Sequence, residues 1–491
     1  MSITKMEMSA AFSEQGNQPS SAEKVLRNAA IRLDPGSLGS ASFRREYKLK
    51  YAYYAGSMYK GVGSKELVVA MGKRGMMGFL GTGGLRLEQV EESIRYIKAA
   101  LADGQSYGVN LLADLLRPDL EDRVVDLYLR EKIHTVEASA FMQVTQSVVR
   151  YRLSGLRRNS AGEIEVPNRV IAKISRPEVA TVFMQPAPPQ IVEKLVVAKQ
   201  LTPQEAQLGR EIPLAHDICV EADSGGHTDQ GVAYALMPAM AALRNRIMAE
   251  HKYREPIRIG AAGGIGTPDA AAAAFILGAD FIVTGSINQC TVEAGTSEVV
   301  KDLLQQINVQ DTTYAPAGDM FETGAKVQVL KKGLLFPVRA NKLYEIYQRF
   351  GSLDEIDEKT RAQIQEKYFK RTFDEVWREV KDHYGGTRPA VLAAAERSAK
   401  QKMALIFRWY FAHTTRLALT GGSQVSDYQI HCGPALGAFN QWVMGTELEH
   451  WRQRRVADIA EAIMDGAANV LASRMSGILD VTYRPLLEPI G

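Results

Sequence analysis

From about Tyr47 onward the chain repeats one pattern: a short apolar run, a loop rich in glycine or polar residues, then apolar residues recurring every three or four positions. The runs are YAYYA (51–55), MMGFL (76–80), YGVNLL (107–112), TVEASA (135–140), RVIAKI (169–174), DICVEA (217–222), IRIGAA (257–262) and FIVTGS (281–286). Amphipathic stretches such as LEQVEESIRYIKAALADG separate most of them, which predicts strands alternating with helices. Alternation of this kind implies right-handed crossovers and a parallel sheet. Several runs are apolar on both faces, as strands covered by helices must be. Eight repeats predict closure into a (β/α)8 TIM barrel of the α/β class in preference to an open sheet.

The pattern breaks in two places. VATVFMQPAPPQIVEKLVVAKQLTPQEAQLGREIP is longer than one crossover helix requires, which predicts a helical insertion at about 179–213 beside the barrel mouth. After about residue 290 the strand pattern stops, and SEVVKDLLQQI, LDEIDEKTRAQIQEKYFKRTFDEVWREV and VADIAEAIMDGAANVLASRM point to a mainly helical C-terminal region. The expected division is an N-terminal extension (1–45), a barrel (46–300) and the helical region (301–491).

Composition narrows the class. A chain of 491 residues exceeds the usual single domain, and 46% hydrophobic with 23% charged residues gives an ordinary globular core. A net charge of +3 makes no electrostatic case for nucleic acid or for a membrane surface. The one dense basic cluster, Arg452, Arg454 and Arg455, reads as a solvated helix face, and no carrier-docking patch stands out. Three scattered cysteines, Cys219, Cys290 and Cys432, suggest neither a disulfide framework nor a metal site. MSITKMEMSAAFSEQG lacks a signal-peptide core, and Gly278 and Asp280 break the longest apolar stretch, so a cytoplasmic protein with no membrane span is expected.

The strongest chemical signal is IRIGAAGGIGTPDAAAAAFILGADFIVTGS, a strand, a glycine loop, a helix and a second strand. Thr267 suits the helix cap, Pro268 its first position and Gly278 its end. Gly263 and Gly264 let backbone N–H groups approach an anion, and loops after strands 7 and 8 of such barrels commonly hold phosphate. In EADSGGHTDQG, Gly225 and Gly226 let the backbone pass close to a flat ligand and set His227 at a strand end, where it can donate a hydrogen bond or a proton. Asn110, Lys173 and the Gly56-Ser57-Met58 loop are further strand-end candidates, with Lys173 reading equally as a salt-bridged lysine inside the barrel. GFLGTGG (78–84) has the wrong spacing for a dinucleotide loop, and GxSxG, Walker and HExxH motifs are absent. HCGPALG lies outside the barrel pattern and reads as a structural turn.

YKLKYAYYAGSMYKGVGSKELV, YGVNLL, AKISRPEVA, EADSGGHTD, AAGGIGTP, VTGSINQCTVEAGTSE, YAPAGDMFETGAKVQVLKKG and HCGPALGAFNQWV together resemble the nitronate monooxygenase superfamily, and more closely the PfaD family of enoyl reductases. The resemblance implies FMN in the barrel mouth, with NADPH or NADH as reductant. It implies that Gly263, Gly264, Gly285 and Ser286 hold the FMN phosphate and that Ser57, Met58, Asn110 and Lys173 face the ring. His227 matches a histidine that lies beside flavin and substrate, so His227 and Lys173 are the expected catalytic residues. It further implies a reductase acting in trans on the acyl carrier protein of a polyketide or fatty acid synthase, and a homodimer is expected. Two rivals are a nitronate monooxygenase-type flavin oxidase and a non-catalytic barrel scaffold in a synthase complex.

Overall fold

In the computed structural model, which describes residues 32–114 and 117–482, eight parallel strands close into a barrel whose neighbours follow sequence order. They are β1 (Tyr53–Ala55), β2 (Met77–Leu80), β3 (Gly108–Leu112), β4 (Thr135–Ser139), β5 (Arg169–Ile174), β6 (Asp217–Glu221), β7 (Arg258–Ala262) and β8 (Phe281–Thr284). Each lies within one of the eight apolar runs, and β1 closes on β8 with Tyr53 opposite Ile282. Residues 1–31 of the expected extension and 483–491 of the C-terminal region lie outside the described residues.

Tyr54, Phe79, Ile171, Cys219 and Phe281 belong to one buried cluster within the barrel. Aromatic rings need room there, and a Cβ on Gly260 would come within 2.1 Å of the Phe281 ring. The N-terminal end of the barrel is stoppered by the helix Ala41–Tyr47, capped by Ser40, whose hydroxyl accepts from Phe43 N. Phe43 stacks on Phe281 at 4.2 Å between centroids. Tyr47 donates to Asp217 Oδ2 at 2.5 Å, and Arg258 pairs with the same carboxylate, its Nη2 lying 3.0 Å from Oδ2. Asp217 and Arg258 are both buried.

Between β5 and β6 run three short helices, Pro177–Met184, Pro189–Val197 and Pro203–Leu208, each opened by a proline that its fixed φ suits to the first turn. They extend from the mouth down the outside of the barrel. At its far end Glu205 accepts from Gly155 N at 2.5 Å and Glu211 pairs with Arg158 at 2.8 Å.

The C-terminal region is mostly helical, yet it also contributes strands. Thr312–Pro316 and Lys326–Leu330 pair antiparallel, and the second pairs with Gly226–Thr228 from the loop after β6. The alternating KVQVL is their plainest trace in the sequence. Phe321, Phe336, Phe369, Phe407 and Phe411 anchor a second core in this region, separate from that of the barrel. The final helix Val456–Thr482 packs on the barrel helix Pro268–Ile276, where a Cβ on Gly466 would approach Pro268 Cγ to 2.5 Å. Arg454 corrects the reading of a solvated basic face: it is 1% exposed. Its guanidinium donates to Leu448 O (2.8 Å), Glu449 O (2.9 Å) and Cys290 Sγ (3.2 Å). Among the described residues no helix is long and apolar enough to cross a membrane.

Candidate active site

Apart from Asn110, midway along β3, every predicted site residue lies at the C-terminal end of a barrel strand or in the loop that follows one, so closure of the sheet brings them to one mouth. After β7, Gly263 and Gly264 both take positive φ, +87° and +74°, which turns the chain sharply and favours glycine. Thr267 then caps the helix Pro268–Ile276 by accepting from Ala270 N at 3.3 Å. A Cβ at Gly264 or Gly285 would meet no protein atom within 4 Å, so both positions face open space. Ser286 follows Gly285, and its hydroxyl accepts from Gly433 N at 3.0 Å. Gly225 is packed against the same corner, where a Cβ would come within 2.8 Å of Ser286 Oγ and of Gly433 N.

That contact places HCGPALG at the mouth, where the sequence pattern gives only a structural turn. Cys432 N donates to Gln328 O (3.2 Å), and the adjoining Gln328 Oε1 is buried without a hydrogen-bond partner in the protein. A buried acceptor without a partner is costly, so its position beside the glycine corner marks a place suited to a hydrogen-bond donor.

On the barrel floor the charges are paired. Lys173 Nζ lies 3.2 Å from Glu221 Oε1. Burial pushes the Lys173 ammonium down, but Glu221 and then Glu137 outweigh it and raise its pKa, so it carries a proton at neutral pH. Glu137 is fully buried on β4 and accepts from Tyr54 OH (3.1 Å), Ser57 N (3.2 Å) and Ser57 Oγ. Asn110 uses its amide nitrogen on Glu137 O and Ser139 Oγ, both at 3.0 Å. Met58 is half-buried against the main core.

His227 extends from the strand Gly226–Thr228, its side chain 46% exposed, and its Nε2 meets Asp319 Oδ1 at 2.9 Å. Burial works against its protonation, but the hydrogen bond and charge of Asp319 and the charge of Glu221 prevail and raise its pKa above the ordinary histidine value. Asp319 in turn is lowered by His227 against the opposing effect of burial. Below His227, Asp223 ties the loop together, accepting from Thr228 Oγ1 (2.7 Å), Tyr314 OH (2.5 Å) and Gln328 Nε2 (3.2 Å). His431 stands next to Gly226, whose Cβ would lie 3.7 Å from its Nδ1. Burial, and then the charge of His227, lower the His431 pKa to about 4. It is therefore a neutral neighbour that accepts from Gln429 Nε2 at 2.8 Å.

Sequence reasoning missed Glu137, Glu221, Asp319 and His431. The first two left a signal, single carboxylates in the runs TVEASA and DICVEA. The last two lie in segments that carry the family resemblance, but only long-range pairing of the C-terminal strands brings them to the site.

Known proteins resemble this chain over most of its length. A family model described as nitronate monooxygenase matches residues 44–332, and one described as the inserted helical domain of [acyl-carrier-protein] S-malonyltransferase matches residues 350–428. The polyketide biosynthesis protein PksE of Bacillus subtilis is 57% identical over 95% of this chain and 60% of its own length. ThaF, a polyketide biosynthesis protein of Burkholderia thailandensis, is 51% identical over 89% of this chain and 37% of its own. A component of the polyunsaturated fatty acid synthase of Thraustochytrium is 45% identical over 84% of this chain and 28% of its own. The chain thus spans between 28% and 60% of the length of these relatives. The crystal structure of the enoyl reductase domain of MlnA, from the macrolactin biosynthesis cluster of Bacillus amyloliquefaciens, matches with TM-score 0.87 and 46% identity over 90% of this chain and 99% of that one. FabK from Thermotoga maritima shares the fold at TM-score 0.52 and 16% identity over 89% and 98%.

Proposed function

Because this chain belongs to the nitronate monooxygenase family, in its PfaD branch, we propose that it is an FMN-dependent enoyl reductase. It reduces α,β-unsaturated acyl thioesters carried on an acyl carrier protein, with NADPH or NADH as reductant. The observation that supports this most is the near-complete match to the enoyl reductase domain of MlnA. On this reading it acts in trans in polyketide or polyunsaturated fatty acid assembly. The barrel of residues 46–300 carries the cofactor, and the region 301–491 completes the site above it.

The residues present fit FMN. Gly263, Gly264, Gly285 and Ser286 line an open corner beside a capped helix start, a setting suited to its phosphate. Ser57, Met58, Asn110, Gly225 and Gly226 border the space where its ring would lie. Bound there, FMN supplies a two-electron carrier between the nicotinamide and the carbon–carbon double bond.

Lys173, kept protonated by Glu221 and Glu137, sets a fixed positive charge toward negative charge developing over the barrel floor. Glu137 also holds the loop after β1 through both donors of Ser57. His227, held by Asp319, has one of two roles: a hydrogen bond to the thioester oxygen, or the proton for the α-carbon. Either role needs the protonated ring, which the raised pKa favours.

The test is anaerobic absorbance of the purified protein with NADPH, followed by a crotonyl-loaded carrier protein. Bleaching of a flavin band and its recovery on adding the thioester support the reading. The nitronate monooxygenase match favours one second reading. A band restored only by oxygen, with oxygen uptake driven by a nitronate, would establish that reading and refute ours. A protein that cannot be loaded with FMN would return the barrel to a scaffold role.

A further inference from the structure

The loop that carries His227 is held from two sides. Asp223, before the histidine, ties it to the C-terminal strands through Tyr314 and Gln328. Asp229, after the histidine, ties it to the barrel. Its Oδ2 accepts from Ser175 Oγ at 2.5 Å and from Arg176 Nε at 3.0 Å, and its Oδ1 accepts from Arg176 Nη2 at 2.6 Å. Ser175 and Arg176 directly follow β5, the strand that carries Lys173. A guanidinium fork on a carboxylate fixes direction as well as distance, and the serine hydroxyl adds a third donor.

The loop needs such a hold. Gly226 and Gln230, on either side of His227, both take positive φ, +89° and +58°. Glycine enters that region freely, but glutamine does so at a cost, and the turn at Gln230 persists where neighbours enforce it. Thr228 Oγ1 accepts from Gln230 N at 2.9 Å, and Asp223 N donates to Gly231 O at 2.8 Å. The ladder to the C-terminal strand ends where Thr228 faces Lys326. Asp229 is the next residue, so the clamp begins where the ladder stops.

Magnitudes show what the clamp does. The Arg176 and Asp229 side chains are 43% and 36% exposed, and an ion pair this open adds little to folding stability. Its effect lies in where it sets the chain. Arg176 holds the Asp229 carboxyl below its ordinary range against burial, so the pair stays ionised at neutral pH. His227 itself faces Asp319, and the other charged or titratable groups around it are Glu221, Lys173 and His431.

We propose that Arg176 and Asp229 are positioning residues, which clamp the His227 loop to the end of β5 and so hold the imidazole against Asp319 at the barrel mouth. This rests on the enoyl reductase reading, in which His227 acts on the thioester. Arg176 and Asp229 act through His227.

The experiment uses the full FMN-loaded chain with Arg176→Ala and Asp229→Asn. The His227 titration is followed by NMR of ring-labelled histidine, its signal assigned by its loss in His227→Ala. As bystander charges the two residues would move the His227 pKa in opposite directions, up when Arg176 is removed and down when Asp229 is neutralised. As a clamp they move it the same way. Either change loosens the imidazole from Asp319, so the pKa is expected to fall in both variants. Opposite shifts, or none, overturn the proposal. Reoxidation of the reduced flavin by crotonyl-pantetheine is expected to slow about tenfold in each variant, with reduction by NADPH and the melting temperature unchanged. Made on His227→Ala, the same changes should slow it no further, and equal slowing there overturns the proposal. If the thioester does not reoxidise the wild-type flavin, the reductase reading fails, and the direction of the two NMR shifts still decides the clamp.

Discussion

The two ends of the barrel both bury charge, and they do it differently. At the N-terminal end Asp217 is met by Arg258 and by the hydroxyl of Tyr47, and the helix Ala41–Tyr47 covers the group. At the C-terminal end Lys173 faces Glu221 with both side chains about one fifth exposed, His227 stands near solvent, and Gln328 Oε1 has no partner. One end is a covered ion pair. The other keeps a protonated lysine, a proton-bearing histidine and an open glycine corner ready for something the protein does not itself supply. Buried polar groups that are fully matched hold a fold together, and those left partly unmatched mark where chemistry is done.

That contrast can be broken from either side. Asp217→Ala should have the largest effect, a loss of about 3–5 kcal/mol in urea unfolding, because it strands the Arg258 guanidinium in the interior. Stability within about 1 kcal/mol of wild type would remove the stopper from the account. Gly264→Asp sets a carboxylate into the open corner and should weaken FMN binding by roughly 100-fold, read as flavin lost on gel filtration. A mutant that retains its full flavin absorbance would move the phosphate elsewhere. His227→Ala should keep its flavin and its melting temperature and slow enoyl reduction by about 100-fold. Unchanged turnover would take the histidine out of the mechanism.

Asp319→Asn should give the smallest change, about tenfold or less at pH 8, and the most diagnostic one. With Asp319 intact, the His227 pKa is raised, so the protonated ring persists to higher pH, and the ion pair's contribution is complete below the ordinary histidine range and fades as pH rises through the raised value. Removing the carboxylate leaves burial to lower that pKa. The alkaline limb of the pH–rate profile should move to lower pH, and a limb that stays in place would show that another group sets it. Solvent exposure of both partners keeps the stability change small, so the profile is the measurement that decides.

The barrel was legible because the strands are short, several of them apolar on both faces, and flanked by turn residues, a pattern carried by neighbours in the chain. The glycine corner was legible for the same reason, with Thr267, Pro268 and Gly278 spelling out helix start and stop. Asp319 was not, since its meeting with His227 depends on Lys326–Leu330 pairing with Gly226–Thr228 across about a hundred residues. Arg454 was misread because three nearby arginines look like a surface, and its partners Leu448, Glu449 and Cys290 are found only after folding.

The strand Gly226–Thr228 has one foot in each half of the molecule. It grows from a barrel loop, yet its ladder partner belongs to the C-terminal region. A barrel cut beyond Ser286 would keep Gly263, Gly264 and Gly285 and lose the ladder that aims His227, together with Asp319 and His431. In any chimera built from this chain, the seam that preserves the site therefore falls beyond His431, and grafting the eight strands alone transfers the glycine corner without His227 held in register.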